Sequence, residues 1–425
     1  MTQSIRNKIP GAFERWTRGA SFGLLLAVAC VATTSAAAAA EKAKGAEISR
    51  VIAKEMTAAQ KALQAGQWAE ALKNLDEAET KSPLTAFDKK TIYNFKGFAD
   101  VKLGNLKAAQ TEFERTLATG AATPEEVASI TRTLFGISAS TNQYQKTIDY
   151  GKQMVDAGSA TPDNVAIIAQ SYYQLKDCKN ASAWADKAIA ATRKAGETPK
   201  ENVYLFKLQC ASDSGDTATM DTVLVDLIRV NNKTTYWNTL LRIERQDERV
   251  DRNTLMIYRI MYNSNAMNAD TDYIEMAQLL ADAALPGEAQ AVLEKAVSTG
   301  MIKDEHKERT NRLLTALKAR ADVDRKGLAQ VDAEASKNPA GELDVKLGEV
   351  YYGFGDYQKA VDAISRGIQK GQIKHLDEAY VYLGLAEAQL KNYAEAKRTF
   401  ASLKIVPDVS PRVLKLWTLY AEKLG

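Results

Sequence analysis

LGEVYYGFGDYQKAVDAI, residues 347–364, and LGLAEAQLKNYAEAKRTF, residues 383–400, align on each other without a gap. Leu347-Gly348 falls on Leu383-Gly384, Tyr357 on Tyr393, Ala360 on Ala396 and Ile364 on Phe400, each pair 36 residues apart. A small residue and a large apolar one returning at such a period mark an array of stacked units, not one compact domain. Copies recur upstream at Tyr93, Gly97, Gly104, Ala109 and Phe113, at Ala169, Tyr172, Ala181 and Ala188, and at Tyr273, Ala277, Ala289, Leu293 and Ala296. A half-copy stands at Gly66-Gln67-Trp68, Ala71, Leu75 and Ala78. The stretches between are rich in Ala, Leu, Lys, Glu and Gln, which favour helix, and nowhere alternate as strands do.

An aromatic, Leu-Gly, a Tyr, an Ala, a large apolar residue and a closing Pro together resemble the tetratricopeptide repeat (TPR) family. The small residue at Gly97 or Ala109 lets two helices approach, and Tyr93 or Phe113 fills the space beside them. The resemblance implies an all-α, right-handed superhelical solenoid of about ten helix hairpins with a C-terminal capping helix. The repeats are clearest over 66–118, 165–190, 270–298 and 342–405, and weaker over 125–155, 200–262 and 305–338, where Leu-Gly is missing. Pro83, Pro124, Pro162, Pro199, Pro339 and Pro407 stand where one hairpin hands over to the next. The helix expected over 411–424 has no partner, and Val413, Leu414, Leu416, Trp417 and Tyr420 offer an apolar stripe to cover the last repeat.

Residues 1–40 read as an export signal. Arg6, Lys8, Arg15 and Arg18 outnumber Glu14, the apolar run 22–32 follows, and the small-residue stretch 35–40 leads to cleavage before Glu41. The mature domain is then 41–425, in the periplasm. The alternative is an outer-membrane lipoprotein through Cys30, although Ala27 stands where that pattern has Leu. Of 56 Lys+Arg and 53 Asp+Glu, the leader holds four and one, leaving 52 of each. Such balance gives no basic footprint for nucleic acid. The apolar run is about half of what a membrane span needs, so no integral span is expected.

The catalytic inventory is thin, and the reading is of a binding protein without cofactor or metal, not an enzyme; a site assembled from scattered residues is the least favoured alternative. His306 and His375 have no ligand partner at helical spacing and read as solvated. Asp270 with Asp272, and Asp322 with Asp324, read as acids at helix starts. The match Gly19-Ala20-Ser21-Phe22-Gly23 lies inside the leader, off any strand-to-helix turn.

In the repeat frame Cys178 falls in the turn of one hairpin and Cys210 near the end of the first helix of the next. They are expected to form a disulfide in an oxidising compartment, with two buried thiols as the alternative. The family uses the first helix of each hairpin to line a concave groove, which implies partner contacts at Asn94, Phe98, Lys102, Glu349, Tyr352, Tyr382, Leu385 and Gln389, about half of them packing between repeats instead. The Lys/Asn pattern with which some members clamp a C-terminal carboxylate is absent, and the mixed lining suits an extended or helical segment of a partner protein. The expected role is a scaffold or adaptor in envelope assembly, secretion or maintenance. A self-associating structural protein, using the aromatic-rich stretch 258–262, is the alternative.

Overall fold

The computed structural model describes residues 47–425 other than 247, 249, 250 and 408. The expected leader, Cys30 and the motif at 19–23 lie outside the described residues. Among the described residues the chain forms twenty α-helices and no strand. Eighteen of the helices make nine consecutive packed pairs, and the chain divides after Thr192 into two compact units.

The first unit holds α1 (Ala53–Gln64), α2 (Trp68–Glu79), α3 (Ala86–Leu103), α4 (Leu106–Ala118), α5 (Pro124–Ser140), α6 (Tyr144–Asp156), α7 (Pro162–Gln174) and most of α8 (Cys178–Lys194). Its first helices start at reciprocal capping boxes: Thr85 with Asp88, Thr123 with Glu126 and Thr161 with Asn164, spaced 38 residues apart. The turn inside each pair needs one left-handed residue, supplied by Gly66, Gly104, Asn142 and Lys176 in turn. Packing between partners is a fit of small against large. A Cβ on Gly97 would lie 2.9 Å from the Phe113 ring. One repeat later the pair is exchanged: Phe135 takes the glycine's place, and a Cβ on Gly151, across from it, would lie 3.0 Å from the Phe135 ring. Ion pairs link neighbouring pairs, Lys90 with Glu126 at 2.8 Å and Lys146 with Glu114 at 2.7 Å.

The second unit continues with α9 (Glu201–Ser214), α10 (Thr217–Val230), α11 (Thr234–Gln246), α12 (Asp251–Asn263), α13 (Asp270–Asp282) and α14 (Pro286–Ser298). It ends with α15 (Asp304–Lys337), α16 (Glu342–Gly353), α17 (Tyr357–Lys370), α18 (Leu376–Gln389), α19 (Tyr393–Ala401) and α20 (Pro411–Glu422). The weak stretch 200–262 therefore holds two full pairs. The stretch 305–338 does not form a hairpin: α15 is one helix of 34 residues. No turn residue interrupts it except Gly327, which costs a helix only about 1 kcal/mol and is too little to break it. Its first half pairs Lys318 with Glu294 of α14 at 3.0 Å, and its second half lays Arg325 over Phe354, 4.4 Å from the ring centre.

Cys178 and Cys210 are joined by a disulfide. His306 is not simply solvated, because its Nδ1 lies 2.7 Å from the buried Asp270 carboxylate, which also accepts the Lys303 N–H at 3.2 Å. His375 Nδ1 lies 3.3 Å from the Arg252 guanidinium. Asp272 closes a capping box on the Ala269 N–H. The terminal helix α20 covers α19, where Trp417 stacks on Phe400 with ring centres 5.1 Å apart. Leu419 joins its buried stripe, while Leu414 is only half-buried.

Candidate protein-binding faces

In the first unit one flank of each first helix is left open. On α3 it runs through Asn94 and Phe98, half-buried, to Lys102, exposed. Phe98 meets Trp68 at the start of α2 edge-on, with ring centres 5.7 Å apart, and the Lys102 ammonium sits 5.4 Å from the Phe98 ring centre. The apolar edge is thus held in one orientation by a neighbouring ring, with a cation beside it. The 38-residue register places Arg132 where Asn94 stands and Gly136 where Phe98 stands. Arg132 is exposed, and a Cβ built on Gly136 would meet nothing within 4 Å. A mid-helix glycine with open space above it exposes bare backbone, which a partner's chain is free to approach. Trp68, Arg132 and Gly136 were not among the expected groove residues; the recurring Thr-Pro starts at 123 and 161, read as a register, would have found the last two.

The second unit disposes of its corresponding face differently. Glu349, Tyr352, Tyr382 and Leu385 are buried, and only Gln389 of the five expected there is exposed. The cause is α12, which reaches across to α18. Arg252 pairs with Asp377 at 2.7 Å, and Asn263 accepts from Gln389 Nε2 at 3.1 Å. Arg259, 2% exposed, donates to both oxygens of Glu288 at 3.2 and 3.3 Å and also to the Tyr382 hydroxyl. The Tyr382 hydroxyl donates in turn to Glu288 at 2.7 Å, and the Tyr352 ring meets the Tyr382 ring edge-on. Burial, with the nearby carboxylate of Glu288, pushes both tyrosines well above their ordinary range, so neither ionises at neutral pH. Four residues expected to line a groove therefore fill an interior. The stretch 258–262 is also largely interior, with Tyr258, Ile260 and Met261 buried, so it does not supply a self-association surface.

The fold is tetratricopeptide-like. Among the described residues no group of three or more His, Cys, Asp or Glu could hold a metal ion, and no helix is long and apolar enough to cross a membrane. No family model and no curated protein matches the chain. Solved structures that match include a tetratricopeptide repeat protein from Parabacteroides merdae, 12% identical, covering 63% of this chain and 99% of that one, with a TM-score of 0.31. Another is the C-terminal part of a TPR repeat-containing protein from Cytophaga hutchinsonii, 16% identical, covering 61% and 93%, with a TM-score of 0.32. The TPR2AB domain of yeast Sti1 in complex with pHSP90 is 13% identical, covering 63% and 98%, with a TM-score of 0.33.

Proposed function

We propose that this chain is a protein-binding scaffold of the bacterial cell envelope, and that its first unit holds an extended or helical segment of a partner along the open flank of α3 and α5. The observation that carries this reading is the stripe Asn94, Phe98, Lys102, Arg132 and Gly136. It combines an oriented aromatic edge, two exposed cations and a bare stretch of backbone, as a site needs if it is to grip a chain by both side-chain and main-chain contacts. Export to the periplasm rests on the order of charge, apolar run and small residues in the first forty positions. Binding, not catalysis, follows from a flank that offers contact groups and no paired acid, base or nucleophile.

The test is affinity capture from the native envelope with the full-length protein beside Phe98→Ala and Gly136→Arg. Neither position fills a tightly packed core, so both variants are expected to fold, with unchanged circular dichroism. A partner retained by the parent and lost from both variants supports the reading. Equal retention by all three removes it. Mass determination of the exported chain checks the compartment: a start at Glu41 is expected, and an intact Met1 or an acylated Cys30 contradicts it.

A further inference from the structure

The closed face of the second unit is held by groups that do not suit a permanent interface. Its contacts are polar and ionic: Arg252 with Asp377, Arg259 with Glu288 and Tyr382, and Asn263 with Gln389. The terminal helix adds more, with Lys415 reaching Asp221 at 2.7 Å and Glu244, Arg412 reaching Glu244 at 2.7 Å, and Arg229 reaching Glu422 at 2.9 Å. These bonds join segments 123 to 194 residues apart in sequence. Two polar atoms on α12 and α20, the Tyr258 hydroxyl and Trp417 Nε1, are buried with no hydrogen-bond partner. Obligate interfaces are apolar and fully satisfied; one built from ion pairs with orphaned donors recovers hydration when it opens.

Glu349 sets the direction. It lies on α16 beneath this closure, 2% exposed, with Lys346 of its own helix at 2.9 Å. From the packed elements it is faced by Arg259 of α12, Glu378 and Tyr382 of α18, and Glu288 of α14 through their shared network. The cations Arg366 and Lys370 of α17 are engaged elsewhere, on Asp344. Burial raises the Glu349 carboxyl to about 7, with the like charge of Glu378 adding to it and Lys346 opposing it.

We propose that the contact of α12 with α18 and α20 is a proton-linked clasp, shut while Glu349 is protonated and released as it ionises, presenting the inner faces of α16 and α18 as a second docking surface. The sign follows from linkage. A carboxyl bound more tightly to its proton in the closed state than in the open one favours closure at low pH. That preference is lost as pH rises from the ordinary carboxyl value towards 7, and is gone above it. With the open state at the ordinary 4.5, the ratio of open to closed molecules rises about tenfold between pH 6 and pH 8.

Hydrogen exchange on the full chain, with rates corrected for the intrinsic effect of pH, reads this directly. Protection of 376–389 and 411–422 is expected to fall about tenfold from pH 6 to pH 8, while 86–156 in the first unit keeps its protection. Glu349→Gln, neutral at every pH and nearly the same shape, is expected to keep the pH 6 protection at pH 8. The proposal is overturned if the parent shows no pH-dependent loss there, if Glu349→Gln loses protection like the parent, or if the loss is equal across both units. Because the first-unit flank takes no part, capture of a partner there can fail or succeed independently of this result.

Discussion

Gly97 and Phe113 show at the scale of single residues why one repeat is legible in the sequence and the next is not. Both pairs need one small and one large side chain at the crossing, but which helix supplies which is free. The first pair spends its glycine on the first helix and its phenylalanine on the second; the next reverses them, with Phe135 facing Gly151. The reversed repeat loses the Leu-Gly signature while keeping the fit, so its pattern reads as weak although its helices are as well packed. The same compensation is testable. Gly97→Phe alone forces a ring into a filled space, and Phe113→Gly alone empties one, each at about 1–5 kcal/mol. Together they recreate the arrangement at Phe135 and Gly151, so the double variant is expected to be more stable than the sum of the singles by about 1–3 kcal/mol. Chemical denaturation of the four proteins measures the coupling, and strict additivity contradicts the account.

Among the elements, α15 and the join at Cys178 and Cys210 mark where sequence reasoning failed and where it held. The long helix was expected as a hairpin because the period called for one; only a turn residue near its middle could have made it so, and Gly327 with its open surroundings is not enough. The disulfide was legible because its residues stand 32 positions apart, close to one repeat, so stacking turns sequence spacing into proximity. The burial of Glu349, Tyr352, Tyr382 and Leu385 was not legible, since it depends on side chains of α12 more than ninety residues away. A disulfide closing a loop of this length stabilises by roughly 3–4 kcal/mol on the chain-entropy account. The folded protein is expected to show no titratable thiol at these two positions and to unfold earlier once reduced. Two reactive thiols in the native state, or an unchanged transition on reduction, go against it.

For the whole molecule, one repeat architecture serves two uses. The first unit leaves the flank of its first helices open, with Phe98, Lys102, Arg132 and Gly136 along it. The second unit covers its equivalent with its own helices. Balanced charge over 41–425 keeps either face from being a general electrostatic sink, so selectivity has to come from local chemistry. The most direct measurement of this division is site-specific photo-crosslinking in native envelope, with p-benzoylphenylalanine placed in turn at Phe98 and Arg132 on the open flank and at Lys107 and Gln145, exposed positions on the second helices. A discrete cross-linked product from positions 98 and 132, absent from 107 and 145 and abolished by adding Gly136→Arg, is the expected result. Products of equal yield from all four positions, or none from 98 and 132, would contradict a partner-binding role for that flank.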